Sequence, residues 1–197
     1  MSPGRRTSAP GRVRIIGGEL RGSVLAVPDR PGLRPTPGRL RETLFNWLQA
    51  HVVGARCLDL FAGSGALAVE AISRGAGQAC LIERDADLAA ALQTNLARLR
   101  RQDLAQVLVA DALSLLAASA SQSFDIVFVD PPFAEALWDR AMALLEAQGW
   151  VASRAWIYLE MPVGTHVDPP SAWLPERETV VGDVRGRLYR RRADPVS

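Results

Sequence analysis

Residues 55–65, Ala55-Arg56-Cys57-Leu58-Asp59-Leu60-Phe61-Ala62-Gly63-Ser64-Gly65, decide the fold of this chain. The first seven read as a buried strand ending in an acid and an aromatic. The glycines then turn the backbone into a helix predicted over 64–74. Gly63, Gly65 and Ala68 satisfy the spacing G-x-G-x-x-[GA], and Glu83 stands 20 residues beyond Gly63 at the end of the next strand. That pattern brings bare backbone and a helix N-terminus up to a ligand. Working outward, further strands are predicted at 79–83, 105–111, 124–130 and 155–160. Helices are predicted at 86–100, 112–118 and 134–148. Such alternation with short connections builds a parallel sheet covered by helices on both faces, each crossover right-handed. The end of the chain differs. Runs at 178–184 and 187–191, joined around Arg185-Gly186, read as an antiparallel hairpin. The expected fold class is α/β, a Rossmann-like sheet that is mostly parallel with a C-terminal antiparallel hairpin.

The segment before residue 55 is organised differently. Residues 1–11 have the composition of a disordered basic tail. Residues 12–28 read as a small β-hairpin around a Gly-containing middle. The Pro-rich stretch 29–38 cannot be helix interior. A helix is expected to follow, with Thr36 as its N-cap, Pro37 at its first position, and Leu40, Leu44, Trp47, Leu48 and His51 along one face. The expected division is a tail at 1–11, a hairpin and helix extension at 12–51, and the main domain at 52–197.

Composition narrows the function classes. With 48% hydrophobic residues, the chain can bury a core. Cys57 and Cys80 lack metal or disulfide spacing and read as buried thiols. His51 and His166 belong to no metal-ligand motif, so no metal is expected. No apolar run reaches membrane-spanning length, and the basic N-terminus lacks the apolar region of a signal peptide. We therefore expect a cytoplasmic protein, acting as a monomer, with no membrane partner. The 23 basic residues are all Arg, and they are not spread evenly. Net charge is +6 over residues 1–50, −8 over 51–184 and +4 over 185–197. Two basic ends flanking an acidic centre suit a polyanion partner.

Asp59 separates two readings of the glycine loop. A dinucleotide would set its pyrophosphate at this helix N-terminus, where a carboxylate repels it. S-adenosylmethionine carries a sulfonium and an ammonium and no phosphate, so it tolerates acids. On that reading Phe61, Gly63 and Gly65 bring the loop close to the methionine part, with Asp59 beneath. Glu83 can accept both ribose hydroxyls, and Asp111 can accept from the adenine amine between Ala110 and Ala112. Asp59, Glu83, Asp111 and Asp130 all stand at the carboxyl ends of strands, where open α/β sheets hold their ligands.

The fourth of these acids opens Asp130-Pro131-Pro132-Phe133, directly after the apolar run 124–129. An exocyclic base amine is a weak nucleophile because its lone pair is delocalised into the ring. The Asp130 carboxylate and the Pro131 carbonyl can take its two hydrogens and free that lone pair. The proline rings aim the carbonyl in advance. Phe133 can stack on the base. The chemistry needs no metal and no covalent intermediate, and the base must be flipped out or lie in a loop.

Four blocks then carry a family resemblance: RIIGGELRG at 14–22, GLRPTPGRLRETLFNWL at 32–48, DLFAGSGALAVEAISRGA at 59–76 and VFVDPPF at 127–133. Together they resemble the RsmD-type 16S rRNA guanine-N2 methyltransferases of bacteria. The resemblance implies a class I methyltransferase fold, S-adenosylmethionine as donor, and methylation of the 2-amino group of one guanine in small-subunit rRNA. It also implies that the substrate is an assembled or nearly assembled 30S particle. It suggests that Arg34, Arg39 and Arg41 hold rRNA phosphates or close over the cofactor, with Pro132 as a further contact to RNA and Asn46 as a support for the loop. The chain departs from the family at Gly38, where an acidic residue is usual, and at Ala68, where Gly is usual. An N6-adenine methyltransferase would share the Asp-Pro-Pro-Phe chemistry. A non-catalytic RNA-binding assembly factor would share the fold.

Overall fold

A computed structural model of the chain describes residues 11–28, 30 and 36–193. Residues 1–10 of the expected tail and most of the Pro-rich stretch, Arg34 included, lie outside the described residues, while Gly11, also assigned to the tail, opens the first strand. The remainder forms a seven-stranded sheet beside a two-stranded one.

The large sheet is built by β3 (Arg56–Asp59), β4 (Gln78–Glu83), β5 (Ala105–Val109), β6 (Phe124–Val129), β7 (Val151–Pro162), β8 (Trp173–Val181) and β9 (Val184–Arg191), in the spatial order β5-β4-β3-β6-β7-β9-β8. The first five of these positions pair in parallel, and β9 and β8 add antiparallel pairings at one edge. The order reverses between β3 and β6, and a switch point of this kind opens a crevice at the carboxyl ends of the strands. The α/β sheet with its terminal hairpin is as expected.

Side chains of the central strands alternate between two cores. Ile126 and Phe128 of β6 face one cluster, which also holds residues of α1 (Gly38–Trp47), α2 (Ala66–Ser73) and α3 (Ala86–Arg98). Val127 and Val129 face the other, with residues of α4 (Ala112–Leu116) and α5 (Trp138–Ala147). Both faces are covered, which is why the strands carry apolar residues at successive positions.

The separate hairpin, β1 (Gly11–Arg14) with β2 (Val24–Val27), sends Val13, Leu25 and Val27 into the first of these cores. Glu70 of α2 fastens it. This fully buried carboxylate accepts from the amides of Ile16 and Gly17, both at 2.8 Å. Asn95 of α3 makes a second fastening, accepting from the Ala26 amide at 3.1 Å and donating to its carbonyl at 2.9 Å.

Three local expectations are corrected. The terminal hairpin turns at Gly182-Asp183, between β8 and β9, not around Arg185-Gly186. Gly182 has φ +61°, which suits a tight hairpin turn. Gly186 is instead interior to β9, paired with both Glu160 and Thr179. A Cβ there would lie 2.7 Å from the Tyr158 hydroxyl and 2.9 Å from Leu40, so the glycine permits a close approach between layers. Second, Pro37 is the N-cap of α1, and Thr36 makes no capping bond. Third, β7 starts at Val151, earlier than expected, with a register shift opposite Phe124/Ile126 and a positive φ at Arg154. Such a bulge hides the period-two pattern that sequence reading relies on.

Candidate active site

The switch point holds a cleft of about 930 Å³. Its wall comes from the ends of β3, β4 and β6, the interior of β7, and the segment leading into α1. All four predicted acids line it, together with Phe61, Gly63, Pro131, Pro132 and Phe133. The structure therefore brings together residues that span 59–133 of the chain. Gly65 sits just behind, as the left-handed N-cap of α2 at φ +73°. A Cβ on it would lie 2.5 Å from Leu92 of α3.

Each acid is held differently. Asp59 is buried, and its carboxylate accepts from the Ala68 amide at 3.3 Å. Desolvation first, and then the charge of Glu83, raise its pKa to about 7 against the pull of that bond. Glu83 uses both oxygens on backbone, accepting from Gly63 and from Asp85, each at 2.8 Å. It thereby ties the glycine loop to the start of α3, and each oxygen retains a lone pair for a further donor. Asp111 caps α4, accepting from the Ser114 amide at 2.8 Å. The Ser114 bonds hold its carboxyl below the ordinary range.

Asp130 lies at the end of β6. Thr36 Oγ1 donates to it at 3.5 Å. Its proton affinity is well above that of an ordinary carboxylate, first from desolvation, then from the charges of Glu160 and Asp59. Pro131 is buried and Pro132 exposed, and a short 3-10 turn at Phe133–Glu135 follows. Phe133 is half-buried, tilted 42° against Trp138 at 6.1 Å between centroids. The Trp138 indole N–H donates to the carbonyl of Glu160 at 2.8 Å.

Ion pairs close the rims of the cleft. Arg84, just after β4, makes a two-pronged pair with Glu135 of the 3-10 turn. Arg30 pairs with Asp85 at 3.3 Å and with Asp87. No group of His, Cys, Asp or Glu among the described residues is arranged to hold a metal ion. Cys57 and Cys80 are buried, their thiols pushed up to about 12 and about 11 by desolvation first, so neither is an available nucleophile.

Two features of the cleft escaped sequence reasoning. Glu160, on β7, is a further buried acid facing the cleft. The rule that found the other four would have found it, since its strand was predicted to end at 160. Thr36 was assigned to a helix cap and instead meets Asp130 across 94 residues of chain. A third assignment is corrected. Arg41, expected at the RNA surface, is only 4% exposed. Its guanidinium donates to the Arg14 carbonyl at 3.0 Å and stands 3.9 Å from Glu70. It is an internal tether of the N-terminal hairpin. Arg39, two residues earlier and on the opposite side of α1, is exposed. Asn46 is exposed and does not line the cleft.

The family model described as Conserved hypothetical protein 95 matches residues 13–190. Ribosomal RNA small subunit methyltransferase D of Escherichia coli is 50% identical over 187 residues, covering 94% of this chain and 93% of that protein. The chain belongs to the small-subunit rRNA methyltransferase D family. The Haemophilus influenzae member is 41% identical over 92% of this chain and 95% of its own length. The solved structure of yhhF from Escherichia coli superposes with a TM-score of 0.84 at 49% identity, covering 93% of this chain and all of that one. A Salinibacter ruber RNA methyltransferase, solved in complex with S-adenosyl-L-homocysteine, shares the fold at a TM-score of 0.64 and 17% identity, over 82% of this chain and 95% of its own. Gly38 opens α1 with only Ile16, at 4.0 Å, near its missing side chain, so an acid there would have room.

Proposed function

We propose that this protein transfers a methyl group from S-adenosylmethionine to the exocyclic N2 amine of one guanine in 16S rRNA, on assembled or nearly assembled small subunits, in the cytoplasm and as a monomer. The observation that carries the reading is the placement of Asp130-Pro131 at the carboxyl end of β6, opening into a cleft floored by Asp59 and Glu83. The small-subunit rRNA methyltransferases named above support the choice of substrate.

The donor set fits a cationic cofactor. Asp59, Glu83 and Asp111 would hold its methionine, ribose and adenine parts in that order, with Phe61 and Gly63 against it. When bound it supplies an electrophilic methyl on a positively charged sulfur. The Asp130 carboxylate and the Pro131 carbonyl accept the two amine hydrogens and release the nitrogen lone pair towards that methyl. Phe133 stacks on the base and fixes its plane. With the cofactor bound, transfer of its methyl would leave the positive charge on the nitrogen and a neutral thioether behind, and Asp130 would take the proton that the nitrogen sheds. Orientation provides most of the rate, since the leaving group is neutral. Exposed Pro132 and Arg39 are placed to meet RNA.

The test is methyl transfer from labelled cofactor to small subunits lacking modifications, followed by nucleoside analysis, with naked rRNA and DNA in parallel. Label in N2-methylguanosine from subunits alone is the expected result. Label in N6-methyladenosine would keep the site chemistry and reject the substrate. Absence of label with every substrate, from protein that binds the cofactor, would sink the catalytic reading.

A further inference from the structure

Behind Asp130 lies a buried polar chain that the reaction described above does not use. Thr36, 5% exposed, places its hydroxyl 3.5 Å from Asp130 Oδ2. Glu160, 3% exposed, follows Leu159 of β7 as Asp130 follows Val129 of β6, and Leu159 and Val129 are paired, so the two carboxyls stand on neighbouring strands. Glu160 is anchored by the Tyr158 hydroxyl, which donates to Oε2 at 3.1 Å. A sheet interior needs none of this. A Leu at 160 would pack without a desolvation cost, so a second buried carboxyl beside Asp130 calls for a use.

We propose that Glu160 and Thr36 are positioning residues for Asp130, Thr36 fixing the direction of its carboxylate and Glu160 keeping it a strong proton acceptor. The inference rests on the methyl-transfer reading above and adds to it the groups that tune the acceptor. Thr36 has one proton, which it gives to Asp130, and that bond fixes which way the carboxylate faces. The charge of Glu160 works on Asp130 directly and increases its hold on a proton. The groups facing Glu160 can be enumerated. Asp130 and Asp59 approach from β6 and β3, Tyr158 from its own strand, and Arg41 from α1. Opposite it, β9 offers only Gly186, which has no charge. Arg41, whose Nε and Nη1 have no hydrogen-bond partner, stabilises the Glu160 anion at a distance. Glu160 itself titrates at about 7, desolvation being the first cause. Methylation sheds one proton per turnover, and Asp130 must take it and then be free for the next amine. A neighbouring negative charge makes the first step favourable, and a fixed hydroxyl keeps the geometry through the second.

Glu160→Gln and Thr36→Val keep side-chain shape and make opposite predictions. Asp130 must be ionised to accept, so activity rises with pH through its titration. Removing the Glu160 charge moves that acid limb to lower pH. Removing the Thr36 hydroxyl takes away a bond that favours the Asp130 anion, and moves the limb to higher pH. Each variant should lower kcat on small subunits by roughly 10- to 100-fold, the usual cost of a misdirected reacting group. Affinity for S-adenosylmethionine should hold in both, and Thr36→Ser should restore the wild-type rate and profile. A wild-type pH profile and kcat in Glu160→Gln overturns the proposal. So does displacement of the limb in the same direction by both variants, which a merely structural role would produce. If wild-type protein transfers no methyl group, the functional reading fails instead. If Glu160→Gln does not fold, the Thr36 pair still decides: a normal Thr36→Val overturns the inference.

Discussion

Glu83→Gln is the substitution whose cost follows most directly from the geometry. The wild-type carboxylate accepts two backbone N–H groups, from Gly63 and Asp85, both at 2.8 Å. Glutamine presents one carbonyl oxygen and one NH2, so one of the two amides must face a donor. A hydrogen bond to a charged group contributes about 1.5–3 kcal/mol, and one such bond is lost. Taking about 2 kcal/mol, a chain of this size should lose roughly 4–8 °C in Tm. Binding adds a second loss. If the ribose hydroxyls donate to the same carboxylate, removing its charge costs about 2 kcal/mol again, roughly 30-fold in Kd for S-adenosylmethionine. Thermal unfolding without ligand and titration calorimetry with S-adenosylmethionine separate the two. A Kd within about twofold of wild type, alongside the expected fall in Tm, would refute the ribose assignment and leave Glu83 as a fastener of the glycine loop. An unchanged Tm would refute the loop argument itself.

Other outcomes follow from single features. Asp59 titrates at about 7, far above an unfolded aspartate, so the folded protein holds the extra proton between those two values. Its contribution to stability therefore falls as pH rises across that window. The affinity for S-adenosylmethionine relative to S-adenosylhomocysteine, which lacks the sulfonium charge, should rise as pH passes through about 7, where the folded carboxyl ionises. Calorimetry at a series of pH values checks this, and a constant ratio would remove Asp59 from the cationic part of the ligand. Arg41→Met breaks a buried pair and should cost about 3 kcal/mol of stability, read by denaturant unfolding, without altering the salt dependence of RNA binding. Arg39→Ala should do the reverse, leaving Tm alone and reducing the salt slope by about 1. Gly186→Ala should destabilise by about 1–3 kcal/mol, because its Cβ meets the Tyr158 hydroxyl at 2.7 Å; equal stability to wild type would show that Tyr158 can move aside.

The fold was legible because its signals are local. The Gly63-Ser64-Gly65 loop, the apolar strands and the helices between them each announce themselves within a dozen residues, and parallel topology follows from their alternation. The misplaced hairpin turn has a different origin. Both Gly182-Asp183 and Arg185-Gly186 contain a glycine next to a polar residue, and local turn chemistry does not rank them decisively. What settles the choice is the close approach of Tyr158 and Leu40 to Gly186, an event between layers of the fold. Arg41 fails for the same reason. Its neighbours in sequence make it look like one of a basic surface cluster. Its burial depends on Glu70, placed 29 residues later on a different helix.

The site shows where local reading stops. Aspartates and glutamates at strand ends can be found from sequence because strand ends can be found, and Glu160 was available by the same rule. What could not be found is how each acid is used. Asp111 caps a helix while facing the cleft, and Glu83 fastens a loop while facing it. Thr36 is the sharpest case. A threonine followed by proline and then an apolar helix is a strong N-cap signal, and the backbone amides it would have satisfied are real. In the fold Pro37 takes the cap position, and a proline there supplies no side-chain acceptor. The threonine is thereby released to carry its one proton towards Asp130. A helix start that gives up its cap at a cost of about 1 kcal/mol does so in favour of a longer-range partner. Here that partner is the carboxylate assigned to the chemistry, so an unspent capping residue beside a cleft is itself a signal worth reading.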